Sequence, residues 1–152
     1  MNAALNIHRG DAEARSFDLL SDRVIGPSVE IHRQLGPGLL ESAYEECLCY
    51  ELSNSQLQFE RQKPPPVTYK NVKLDCGYRL DLVVENKLIV DLKTVEQLLP
   101  IHEPQLLTYL KLSRISFGLL INLNVPLLKQ GIKRMVNKFP DSSASPRLGG
   151  SK

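Results

Sequence analysis

What this chain lacks narrows its class. No apolar run in its 152 residues approaches the roughly 18 to 20 positions of a membrane-spanning helix. Residues 1–17 contain no apolar signal core. A cytoplasmic protein with no membrane partner is therefore expected. Cysteine is scarce, and Cys47, Cys49 and Cys76 are odd in number and form no repeated C-x-x-C pair. Neither a disulfide framework nor a thiol-based structural zinc site is indicated, which leaves buried reduced thiols as the expectation. An excess of one charge sign is also missing, since the formal net charge is only +2. Contact with a polyanion would need a local patch rather than a global field. No internal repeat is present.

What is present fits one globular domain with a core: 42% of residues are hydrophobic and 24% charged. The domain is expected over residues 17–140, between a flexible N-terminal segment (1–16) and a disordered C-terminal tail (141–152) rich in Ser, Pro and Gly. Ser21 is a candidate N-cap for a helix to about residue 35, stopped by Gly36-Pro37-Gly38. Pro27 would cost about 3 kcal/mol inside that helix, so a start near Gly26 is the alternative. Leu40, Tyr44, Cys47, Leu48 and Leu52 recur at helical spacing and predict a second helix. From residue 57 the period becomes that of strands: 57–61, 67–69, a Lys70-Asn71 turn, 72–74, then the runs around Asp81 and Asp91. Pro64-Pro65-Pro66 marks an edge or linker. Pro104 opens a helix to about residue 112, and strands are expected over 116–123 and 131–136. The order α-α-β-β-β-β-α-β-β describes a mixed sheet flanked by helices.

Two carboxylates and a lysine stand out within the strand runs. Asp81 lies in Tyr78-Arg79-Leu80-Asp81-Leu82-Val83-Val84, and Asp91 and Lys93 lie in Leu88-Ile89-Val90-Asp91-Leu92-Lys93. The short Glu85-Asn86-Lys87 link predicts a hairpin that makes the two runs neighbours. Asp91 and Lys93 are two apart and so share a strand face. Asp81 and Asp91, with the Leu92 carbonyl, form an oxygen set suited to Mg²⁺ or Mn²⁺. Such an ion would serve phosphodiester hydrolysis, with Lys93 stabilising developing negative charge. The bland alternative is a set of solvated strand residues with Lys93 merely paired to a carboxylate. Glu41, at a helix start, suits the helix dipole whether or not it does chemistry. Gln105 and Tyr109 are i and i+4 on the third helix and present polar tips to one side. His32 reads as a packed, hydrogen-bonded histidine; His102 reads as a loop or capping residue, with a phosphate contact or weak ligand as the alternative; and His8 carries no pattern.

The run Leu35-Gly36-Pro37-Gly38-Leu39-Leu40-Glu41-Ser42-Ala43-Tyr44-Glu45 resembles the signature of the GxxExxY protein family, through Gly38, Glu41 and Tyr44. Further similar segments, from Glu30-Ile31-His32 to Gly118-Leu119-Leu120-Ile121-Asn122, follow in unbroken order over about residues 24–136. That family is placed in the PD-(D/E)xK nuclease-like superfamily. The resemblance implies an α/β restriction-endonuclease-like core, α-β-β-β-α-β with an extra N-terminal helix. It also implies a divalent-metal site and cleavage of DNA or RNA, DNA in preference. Asp81 matches the first acidic position, Asp91 the D/E position and Lys93 the lysine. Glu41 resembles the helix-borne glutamate that supports the metal, and Gln105 with Tyr109 resembles a Q-x-x-x-Y helix that contacts substrate. The family usually has Glu where this chain has Asp91, an arm one methylene shorter.

The expected function is thus a divalent-metal-dependent nuclease, with Lys111 and Arg114 as candidate phosphate contacts. A non-catalytic nucleic-acid-binding or protein-interaction module with the same fold is the rival. The 67–74 hairpin is a further candidate for pairing with another chain.

Overall fold

The computed structural model describes residues 9–138. Two helices come first, α1 (Arg9–Leu35) and α2 (Glu41–Asn54). Five strands follow: β1 (Phe59–Lys63), β2 (Val67–Tyr69), β3 (Val72–Leu74), β4 (Leu80–Val84) and β5 (Leu88–Lys93). The chain then forms α3 (His102–Ser113), β6 (Phe117–Asn122), a short 3-10 turn (Leu128–Gly131) and β7 (Ile132–Val136). Strand order in the main sheet is β1-β4-β5-β6-β7, and β2 and β3 form a separate two-stranded sheet. Among the described residues only the β5–β6 pair is parallel. A parallel pair needs a crossover between its strands, and α3 supplies it.

This is the mixed α/β architecture read from the sequence, with corrected boundaries. All five strand runs read before α3 form, one more than the order α-α-β-β-β-β-α-β-β counts, and the 3-10 turn was not foreseen. The first helix begins at Arg9, so residues 9–16 of the expected loose segment are helical. Residues 1–8, with His8, and residues 139–152 lie outside the described residues. Pro27 sits inside α1 rather than at its start. Burial of Phe17, Ser21, Val24, Ser28 and Ile31 along one stripe offsets its local cost of about 3 kcal/mol. Just beyond the proline, Ser28 Oγ donates to the Val24 carbonyl at 2.8 Å.

The sheet is covered on both faces. Val24, Ile31, Tyr44, Leu48 and Leu52 of α1 and α2 pack with Leu82, Val84, Leu88, Val90 and Leu92. Leu106 and Leu110 of α3 pack with Val83, Ile89 and Leu120 on the other face. Alternation along β5 therefore turns Asp91 and Lys93 to the α3 side. Gly118 lets α3 approach, since a Cβ there would stand 3.1 Å from Leu106 Cδ2. None of the described helices is long and apolar enough to cross a membrane.

Candidate active site

The antiparallel register places Leu82 opposite Val90 and Val83 opposite Ile89, so one further step brings Asp81 beside Asp91. The regular ladder stops there, and the Leu92 N–H donates to Asp81 Oδ2 at 2.8 Å. Strand pairing thus gives way to a side chain at the point where the two carboxylates meet. Lys93 Nζ lies 3.4 Å from Asp91 Oδ1, close enough for charge attraction. That oxygen is buried and has no aligned hydrogen-bond partner among the described residues.

Burial raises the pKa of both carboxyls. Asp81 is pushed up to about 6, with the Asp91 and Glu45 charges adding to burial and the Leu92 N–H opposing it. Asp91 is also raised by burial, against the attraction of Lys93. Neighbouring carboxylates oppose each other's ionisation, which adds to the effect of burial on Asp81. An acidic pair, Asp91 buried and Asp81 half-buried, with one unpartnered oxygen is chemically suited to a hard divalent cation, which would restore both charges. Among the described residues no three His, Cys, Asp or Glu side chains form a ready-made metal cluster.

The Gly38-x-x-Glu41-x-x-Tyr44 spacing has a local explanation. Gly36 and Gly38 adopt φ of 72° and 104°, which turns the chain sharply from α1 into α2. The buried Tyr44 hydroxyl donates to the Gly36 carbonyl and accepts from the Leu39 N–H at 3.3 Å. This staple fixes the first turn of α2, where Glu41 sits. The Glu41 pKa is raised by burial and then by Asp81, while Lys93 lowers it. Glu41 thus lies close enough to Asp81 and Lys93 for their charges to act on it.

Tyr109 lines the same small recess as Asp81 and Asp91, between the sheet and α3. Gln105 lies one turn earlier, half-buried, and its side chain makes no hydrogen bond among the described residues. Lys111 is exposed, and Arg114 borders a separate cavity of about 370 Å³ with Lys63 and Ser113. His32 is buried, with Nε2 donating to the Val125 carbonyl at 2.8 Å. His102 Nδ1 accepts the Leu99 N–H at 3.0 Å and closes the loop before α3. Both histidines therefore play the structural parts expected of them.

Four neighbours were not foreseen. Tyr78 stacks on Tyr109 with ring centroids 4.4 Å apart, and burial followed by the two Asp charges raises its pKa. Gln62 Nε2 bridges Glu45 Oε1 at 2.9 Å and Asp81 Oδ1 at 3.4 Å, from a left-handed backbone with φ of 50°. Glu45 is buried, and its Oε2 accepts from Arg61 Nε and Nη2 at 3.1 and 3.0 Å. Buried Asn122 grips Val95, accepting its N–H at 3.1 Å and donating to its carbonyl at 2.8 Å. None of these pairings has a sequence spacing that announces it. Only the placement of Glu45 at i+4 from Glu41 was open to inspection.

Comparison with protein families matches residues 18–135 to the PD-(D/E)XK nuclease superfamily. The chain belongs to that superfamily. No curated protein and no solved structure matches it. The five-stranded mixed sheet with helices on both faces is consistent with a PD-(D/E)XK nuclease-like fold. The matched stretch includes Glu41, Asp81, Asp91, Lys93, Gln105 and Tyr109. Nucleases of this superfamily generally use divalent metals and act on nucleic acid.

Proposed function

We propose that this chain is a divalent-cation-dependent nuclease of the GxxExxY type, acting on DNA in preference to RNA. The observation that carries the reading is the adjoining Asp81 and Asp91 carboxyls, one oxygen of Asp91 buried without a hydrogen-bond partner and Lys93 3.4 Å from it. Tyr44, stapling the turn that presents Glu41, supports the narrower family assignment.

Asp81, Asp91 and the Leu92 carbonyl would hold Mg²⁺ or Mn²⁺, with Glu41 supporting them from α2. Such an ion, when bound, neutralises phosphate charge and lowers the pKa of water for attack on phosphorus. The Leu92 N–H keeps Asp81 Oδ2 in place, so the carboxylate is oriented before substrate arrives. Lys93 sets a positive charge beside the reacting oxygens and orients the attacking water. Tyr109, held by its stack on Tyr78, and Gln105 line the approach of the strand.

The test is cleavage of labelled single- and double-stranded DNA and RNA with Mg²⁺ or Mn²⁺, run beside Lys93→Ala. Product from the wild type alone is expected, with DNA the better substrate. Equal product from both proteins would remove Lys93 from the chemistry. No product from either would favour the non-catalytic binding module.

A further inference from the structure

β1 and β4 close on the pair Lys63 and Leu80, and Asp81 follows Leu80 directly. Residues 64–79 between them are an excursion that leaves the main sheet and returns beside the first carboxylate of the site. Within it, β2 and β3 pair only with each other. Lys70 and Asn71 form the tip, both left-handed with φ of 50° and 67°, as a tight type I′ hairpin requires.

Cross-strand partners point to one side, so Tyr69, Val72 and Leu74 share a face of this ribbon. They are 63%, 56% and 46% exposed. A two-stranded ribbon that leaves such side chains in water has little stability of its own, and a ligand on that face would supply some.

Charge decides the kind of ligand. Residues 63–79 carry Lys63, Lys70, Lys73 and Arg79 against Asp75, a net +3, whereas the whole chain carries +2 and the remainder therefore −1. Lys63 and Arg79 are engaged by Glu60 and Asp75. Lys70 Nζ stands 5.4 Å from the Tyr69 ring centroid, and Lys73 has no ion-pair partner among the described residues. Two copies of the chain meeting through this hairpin would crowd four lysines together, which disfavours self-pairing. A polyanion with flat apolar faces suits it instead.

We infer that the β2–β3 hairpin is a nucleic-acid clamp. Tyr69 offers a stacking face to a base, while Lys70 at the tip and Lys73 on the reverse face beside Thr68 contact phosphates of a strand that passes around the hairpin toward Asp81 and Asp91. The inference rests on the nuclease reading of those two carboxylates and adds the surface that captures the substrate.

The test is fluorescence anisotropy of a fluorescein-labelled single-stranded oligonucleotide with the full chain in EDTA, over a series of NaCl concentrations. Wild type is compared with Tyr69→Ala and with the double variant Lys70→Glu, Lys73→Glu. Circular dichroism melts verify that each remains folded, as expected for exposed side chains. The double variant should bind at least about tenfold more weakly, with the slope of log K against log salt shallower by about 1.4, the value for two lost single-strand phosphate contacts. Tyr69→Ala should weaken binding without changing the slope. Unchanged affinity and slope in the double variant, or no binding by the wild type, overturns the clamp. A mass that doubles with concentration in wild type but not in the variants, with binding unaffected, overturns it in favour of self-pairing. Wild type that binds through the hairpin but cleaves nothing removes the nuclease reading and leaves the clamp. Cleavage with hairpin-independent binding does the reverse.

Discussion

The Leu92 N–H, which would otherwise extend the β4–β5 ladder, donates instead to Asp81 Oδ2 at 2.8 Å. One hydrogen bond thus ends the strand pairing and fixes a carboxylate next to Asp91. Asp81→Asn keeps an acceptor for this N–H while removing the charge. The variant should fold normally and lose cleavage by at least about a hundredfold, measured on the wild type's best substrate.

The pH dependence of stability follows from the same pair. The folded pKa of Asp81, about 6, lies above the ordinary carboxylate value near 3.8, so the folded state binds more protons between those limits. Stability without metal should therefore fall as pH rises from about 4 through 6, by on the order of 3 kcal/mol. Urea denaturation of wild type against Asp81→Asn in EDTA isolates this contribution, and the advantage of the variant should grow toward pH 8. A wild type that gains on the variant as pH rises would contradict it.

Divalent cation should reverse that penalty. Saturating Mg²⁺ or Mn²⁺ at pH 8 is expected to raise the wild-type Tm, since a ligand bound 100-fold above its Kd adds about 2.7 kcal/mol. Asp81→Asn and Asp91→Asn should show a much smaller shift in the same thermal melts.

Tyr44→Phe removes the hydroxyl that ties Gly36 to Leu39. It should cost about 1 kcal/mol in denaturant titrations. Because Glu41 follows that turn, kcat is expected to fall more than KM rises.

Asn122 satisfies both backbone groups of Val95, and the neighbouring Leu123 N–H donates to the Lys93 carbonyl at 2.9 Å. Asn122→Ala should destabilise the fold by about 1 to 3 kcal/mol, the cost of leaving buried polar groups without partners. Activity at a temperature where the variant is still folded should also drop, because the end of β5 that carries Lys93 is loosened.

How far the site was legible depends on the range of the interaction. The Lys70-Asn71 turn and the Asp91/Lys93 shared face are local, set by left-handed propensity and by the two-residue period of a strand, and the structure places them as read. The start of α1 was misplaced because residues 9–16 have no pattern of their own. Just beyond them, Phe17 stacks on Phe117 with centroids 4.5 Å apart, a contact across a hundred positions. Pro27 was judged by its local cost alone, and burial along the α1 stripe outweighed it.

Sequence by itself determined the alternation that builds β4 and β5, the glycine turn before Glu41, and which side chains could carry metal chemistry. These follow from residue type and spacing, so they need no knowledge of distant neighbours. Tertiary structure alone decided that the Leu92 N–H holds Asp81 beside Asp91, that Gln62 bridges Glu45 to Asp81, and that Tyr78 stacks on Tyr109. Each requires an approach between segments whose separation along the chain carries no signal. The electrostatic character of the site depends on how completely α2 and α3 exclude water from the sheet.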